Sequence, residues 1–192
     1  MQITDLKTLD YPPLTNDLEE AKSHLDKYGM ALIKDVLSRE EVEEMDQRLN
    51  EQFLGEEKYQ VGSKIRGDEG FGIESSEEEK VSRLVWNLIN KGDCFLKLID
   101  HPKILPLIQH MIGERVCLCS MGAHMNGSGN ERMALHQDQW PLVPHPMKFP
   151  FMANVMYLIS DNSPENGGTR LIPGSHNWPL IDYKTANSED IQ

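Results

Sequence analysis

The chain has 192 residues, 39% hydrophobic and 26% charged, with a formal net charge of −12. That length and balance suit one soluble domain with its own core, and the acidity argues against the broad basic face that nucleic-acid binding requires. No apolar run is long enough to span a bilayer, and the N-terminal MQITDLKTLDYPP lacks the basic patch and apolar stretch of a secretory signal, so an acidic cytoplasmic protein is expected.

In chain order, Leu18, Ala21, Leu25 and Tyr28 recur at helical spacing, with Asn16 and Glu19 placed as a capping box and Gly29 as a stop. Met30 to Val36 reads as a short strand. Ser38 and Glu41 form a second capping box, followed by the stripe Val42, Met45, Leu49 and Phe53, with Gly55 expected to end the helix. Residues 55–78, rich in Gly, Glu and Ser, read as a long loop. A third helix is predicted over 79–90 from Val81, Leu84, Val85 and Leu88. A fourth follows Pro102, with Leu105, Ile108, Met111 and Ile112 as its stripe and Gly113 as its close.

Past Gly113 the pattern changes. Arg115 to Ala123, Phe151 to Ile159 and Thr169 to Ile172 read as strands, separated by loops dense in Gly, Pro, Asn and Asp. Cys94, Cys117 and Cys119 are an odd number and suggest no disulfide framework; Cys117 and Cys119 would share one strand face as small, mostly packed residues. No repeat or linker divides the chain. The expectation is one α+β domain over 1–192, helical over 1–114 and built of strands over 115–192.

The chemistry concentrates in LHQDQW, Leu135 to Trp140. On an extended segment His136 and Asp138 fall on the same side, so an imidazole nitrogen and a carboxylate oxygen can reach one metal ion. A second histidine from elsewhere would complete two His and one carboxylate on one face of an octahedron. That leaves three open positions, which suits iron(II) oxygen chemistry. The tripeptide alone is a weak signal, since His-x-Asp occurs often by chance and more commonly marks a solvated turn with an Asp cap. The second segment is ENGGTRLIPGSH, Glu165 to His176: a turn, a short strand and a second turn.

Together, LHQDQ and ENGGTRLIPGSH resemble the phytanoyl-CoA dioxygenase family, and the helix ending at Tyr28-Gly29, the stretch MALIKDVL and the segment Asp100 to Glu114 match its helical start. The resemblance implies a mainly β core: a double-stranded β-helix, or cupin-like jelly roll, with N-terminal helices buttressing one sheet. It implies iron(II), with 2-oxoglutarate as cosubstrate and O2 as oxidant, and His136 and Asp138 as two metal ligands with no other catalytic residue. Succinate and carbon dioxide would be released as a C–H bond of a small-molecule substrate is hydroxylated or otherwise oxidised. The presence of Asp138 favours hydroxylation over halogenation, because related halogenases carry a small residue in its place. The alternative is a non-catalytic or truncated fold relative acting as a binding or scaffold protein.

The same resemblance assigns Thr169 and Asn154 to the 2-oxoglutarate pocket, where a hydroxyl and an amide can donate to carboxylate oxygens. Trp140, His145 and His124 are candidates for the substrate pocket wall. Met133 departs from the family, where several relatives carry Gln. His176 is read as structural rather than as the second histidine, and Arg170 as a partner in a structural ion pair. After His176 the sequence NWPLIDYKTANSEDIQ holds no further His and no Arg. The family's distal histidine and its 2-oxoglutarate-binding arginine, with the closing strands, are therefore expected from a continuation of the chain or from a second polypeptide that completes the barrel.

Overall fold

The computed structural model describes residues 10–61, 63–66, 81–126, 136, 138 and 149–177. Strand β1 (Leu14–Thr15) leads into helix α1 (Leu18–Tyr28), and the chain returns as β2 (Leu32–Ile33), which pairs parallel with β1. The cap of α1 is Asp17, one residue later than the expected Asn16; its carboxylate accepts from the Glu20 N–H at 2.8 Å. Ala21, His24 and Tyr28 form the buried stripe. At the other end Gly29 takes a left-handed φ of 72° and donates to the Leu25 carbonyl at 2.9 Å.

Helix α2 (Arg39–Tyr59) opens with the expected capping box: Ser38 Oγ accepts from the Glu41 N–H, and the Glu41 carboxylate accepts from the Ser38 N–H at 2.8 Å. Its end differs from the expectation. Gly55 lies inside the helix, which continues to Tyr59 because Glu56 extends the buried stripe of Met45, Leu49 and Phe53. Glu56 is only 9% exposed and is held by Lys91 Nζ at 3.2 Å and by the Gln52 amide at 2.8 Å. A glycine costs a helix interior about 1 kcal/mol, too little to stop a helix so anchored. Strand β3 (Ser63–Arg66) then occupies part of the expected loop.

The predicted third helix is instead strand β4 (Val81–Trp86), with a single 3-10 turn at Leu88–Asn90. It is the middle strand of an antiparallel sheet, β3-β4-β5, where β5 is Gly122–Met125. Leu84 and Val85 are both buried, at 3% and 0% exposure, so both faces of β4 are covered. A strand covered on both faces reads as a contiguous apolar run and loses the alternation that separates it from a helix. After β4 come the short helix α3 (Asp93–Leu96) and α4 (Leu105–Ile112), which begins later than Pro102 and carries Pro106 in its first turn.

The core joins Met45, Leu49 and Phe53 of α2, Val85 of β4, and Leu88, Cys94, Phe95 and Leu98 after it. Tyr157 and Ile159 pack against this cluster from the C-terminal half, and Tyr157 donates its hydroxyl to the Leu98 carbonyl at 2.9 Å. Of the three predicted C-terminal strands, only the end of the first forms a ladder, as β5. Over Met156 to Ile159 burial alternates exposed, half-buried, exposed, half-buried, the period of a strand, but no ladder partner is present among the described residues. Thr169 to Ile172 likewise forms no strand. The described residues therefore give a mixed helix-and-strand domain without a closed jelly-roll sheet. No described helix is long and apolar enough to cross a membrane.

The PGSH motif docks on the end of α1. Gly174 donates its N–H to the Tyr28 carbonyl at 2.7 Å. The His176 ring lies over Gly29 so closely that a Cβ there would stand 2.4 Å from His176 Nδ1. Gly29 is thus required twice, by its positive φ and by its missing side chain.

Candidate metal centre

His136 and Asp138 lie side by side, with Asp138 in a turn rather than in the extended segment expected. His136 Nε2 lies 3.2 Å from Asp138 Oδ1, and both side chains are partly open to solvent, at 36% and 46% exposure. The other carboxylate oxygen, Oδ2, accepts a hydrogen bond from Asn154 Nδ2. One oxygen of Asp138 therefore shares a space with the imidazole nitrogen while the other is held from the side.

The pair fits a metal. Two neighbouring ligands of an octahedral ion, at bond lengths of about 2.1 Å, stand about 3 Å apart, close to the 3.2 Å between His136 Nε2 and Asp138 Oδ1. An imidazole and a carboxylate are suitable donors for a divalent first-row cation. Among the described residues no group of three or more His, Cys, Asp or Glu side chains is gathered to hold a metal. His136 and Asp138 would supply two ligands.

The remaining candidates scatter around this pair. Asn154, expected to line the cosubstrate pocket, donates a hydrogen bond to Asp138. His124 lies on β5 opposite Leu84; it keeps an exposed edge, yet crowding by the sheet lowers its pKa through burial and favours the neutral imidazole. Thr169 is exposed just beyond the glycine pair. Among the described residues no hydrogen bond or ion pair joins Thr169 or His124 to Asp138 or Asn154. Trp140, His145 and Met133 lie outside the described residues. Arg170, expected in an ion pair, is exposed and makes none with the described residues.

The ENGG segment builds a turn. Ser163 donates its N–H to Asn166 Oδ1 at 2.7 Å, Gly168 donates to the Ser163 carbonyl at 2.8 Å, and Gly167 takes a φ of 83°. Asn126, just past β5, donates its side-chain amide to the Gly167 carbonyl at 3.0 Å. Asn126 thus ties the turn to the sheet, a role its sequence position did not disclose.

The model of the family described as "Phytanoyl-CoA dioxygenase (PhyH)" matches residues 25–191. Similar proteins include "Dioxygenase af480" of Aspergillus fumigatus, 28% identical over 93% of this chain and 55% of its own length. Another is the "Probable alpha-ketoglutarate-dependent hypophosphite dioxygenase" of Stutzerimonas stutzeri, 26% identical over 90% of this chain and 58% of its own. A third, "Dioxygenase sphC" of Aspergillus fumigatus, is 24% identical over 85% and 46%. The chain spans about half the length of these curated relatives. No solved structure matches it. With the family model covering all but the first 24 residues and the last one, the chain belongs to the phytanoyl-CoA dioxygenase family.

Proposed function

We propose that this chain carries part of the active site of an iron(II)- and 2-oxoglutarate-dependent dioxygenase that oxidises a C–H bond of a small molecule. The observation that carries the reading is the convergence of His136 Nε2 and Asp138 Oδ1, 3.2 Å apart. When bound, the metal and cosubstrate supply the oxidising chemistry, with loss of carbon dioxide and formation of succinate. The chain's own residues bind and orient: His136 presents an imidazole nitrogen, Asp138 a carboxylate oxygen, and Asn154 holds that carboxylate from the side through a neutral amide donor. A second histidine and a cosubstrate-binding arginine would complete the site. The whole acts in the cytoplasm.

The test is calorimetric titration of the protein with iron(II) under nitrogen, with and without 2-oxoglutarate, followed by succinate assay in air. Metal binding strengthened by 2-oxoglutarate, and lost in both His136→Ala and Asp138→Ala, is the expected result. Metal binding that survives both substitutions would defeat the reading. A second reading is a non-catalytic relative acting as a scaffold. A wild-type chain that binds no metal would favour it.

A further inference from the structure

We propose that Asn154 is a positioning residue for Asp138, which it holds as a one-oxygen metal ligand, rather than a contact for the cosubstrate. The inference rests on the metal-centre reading above and names a part in it that the family relationship does not assign. Three observations carry it. First, the only hydrogen bond the Asn154 side chain makes among the described residues is donated by Nδ2 to Asp138 Oδ2. Second, that bond occupies the oxygen that does not face His136, so it selects Oδ1 as the oxygen beside the imidazole nitrogen. A carboxylate free to rotate would exchange its two oxygens or offer both; a fixed donor on one of them removes that choice.

Third, the donor is anchored in the core. Three residues beyond Asn154, Tyr157 is bonded to the Leu98 carbonyl at 2.9 Å, and both Tyr157 and Ile159 pack on the cluster of Met45, Val85 and Phe95. Tyr157 is half-buried while Asn154 is exposed, so the segment grips the core with one side and presents the amide with another. Asp138 is thereby referenced to the rigid part of the domain through a single amide group. A neutral donor suits the task, because a lysine or arginine there would compete with the metal for the charge of Asp138.

The experiment measures manganese(II) affinity of the protein by calorimetry, with the unfolding midpoint of the metal-free protein recorded in parallel. Asn154→Leu keeps the side-chain size and removes the donor. It is expected to weaken manganese(II) binding by about 10- to 100-fold while the metal-free midpoint stays put, since the residue is exposed. Asn154→Gln, which keeps an amide donor on a longer stem, is expected to recover part of that loss. Affinity within about twofold of wild type in Asn154→Leu, when outer partners of ligands normally count for 10-fold or more, would overturn the proposal. So would an equal fall in metal-free stability, which would mark a merely structural residue. His136→Ala separates the two levels: if it abolishes binding and Asn154→Leu leaves binding unchanged, the metal centre stands and the role of Asn154 falls. If the wild type binds no manganese(II), both fall.

Discussion

Gly29 makes a sharp quantitative test of how the two halves of the chain meet. Replacing it with alanine has two separable costs. The left-handed backbone, φ 72°, is unfavourable for any residue with a Cβ, by about 1–2 kcal/mol. The new methyl would also meet His176, at 2.4 Å from Nδ1, 2.7 Å from Cγ and 3.0 Å from Cβ. Swinging the ring relieves the first two contacts but not the third, so the docked motif must shift; overpacking of this kind costs about 1–3 kcal/mol. Gly29→Ala is therefore expected to destabilise by about 2–5 kcal/mol in total. In a His176→Gly background only the backbone part remains, about 1–2 kcal/mol. Urea denaturation of the wild type, the two single variants and the double variant gives both figures and their difference. If Gly29→Ala costs the same in both backgrounds to within about 0.5 kcal/mol, the contact with His176 carries no energy and the reasoning is refuted.

Four further outcomes are expected. Ser38→Ala removes the cap of α2 and should cost about 1 kcal/mol by urea denaturation. The bond from the Ser38 N–H holds the Glu41 carboxyl below its ordinary value; stability from this pair is present above the carboxylate range and lost as pH falls through the depressed pKa, so the difference between wild type and Glu41→Gln should shrink in acid. Burial pushes the Tyr157 phenol up to about 12, which disfavours the phenolate in the fold. Stability should hold below the ordinary tyrosine value of 10 and drain as pH rises from there toward 12, a loss that Tyr157→Phe should not show in alkaline unfolding curves. Finally, Cys117 and Cys119 are exposed whereas Cys94 is buried, with its thiol pKa raised by burial. A thiol reagent should label two cysteines in the native protein and the third only on unfolding; prompt labelling of all three would contradict the placement of Cys94 in the core.

The parts of the fold legible in the sequence are those fixed by local chemistry. Capping residues and helical stripes located α1, the start of α2 and the end of α4, because each cap satisfies backbone groups within a few residues. The nearness of His136 and Asp138 is also local, a separation of two residues, but it is reached through a turn at Asp138 and not along an extended segment. Non-local effects stayed hidden. Strand β4 looked helical because the adjacent residues Leu84 and Val85 are both buried, Val85 in the cluster that includes α2. Helix α2 outran Gly55 because Lys91, far along the chain, pins Glu56. The bond from Asn154 to Asp138 stayed hidden as well, since a lone amide in an apolar stretch signals a need for a partner without saying which. The tie between Asn126 and Gly167 had no signal at all, as it joins two loops 41 residues apart.

The meeting of α1 with the PGSH motif also bears on the order of events during synthesis. The hydroxyl of Tyr11 reaches the Leu171 carbonyl across a separation of 160 residues, and the Tyr28 carbonyl waits for the Gly174 N–H. Closing so long a loop early is entropically unfavourable, and during vectorial synthesis the later partner does not yet exist. Helix α1 therefore leaves the ribosome capped by its own glycine, can pack on α4 once that helix exists, and gains its remaining cover only after Gly174 and His176 have been translated. Slow release of the nascent chain would lengthen the life of that half-covered helix, and a chaperone that binds apolar stripes would find it there.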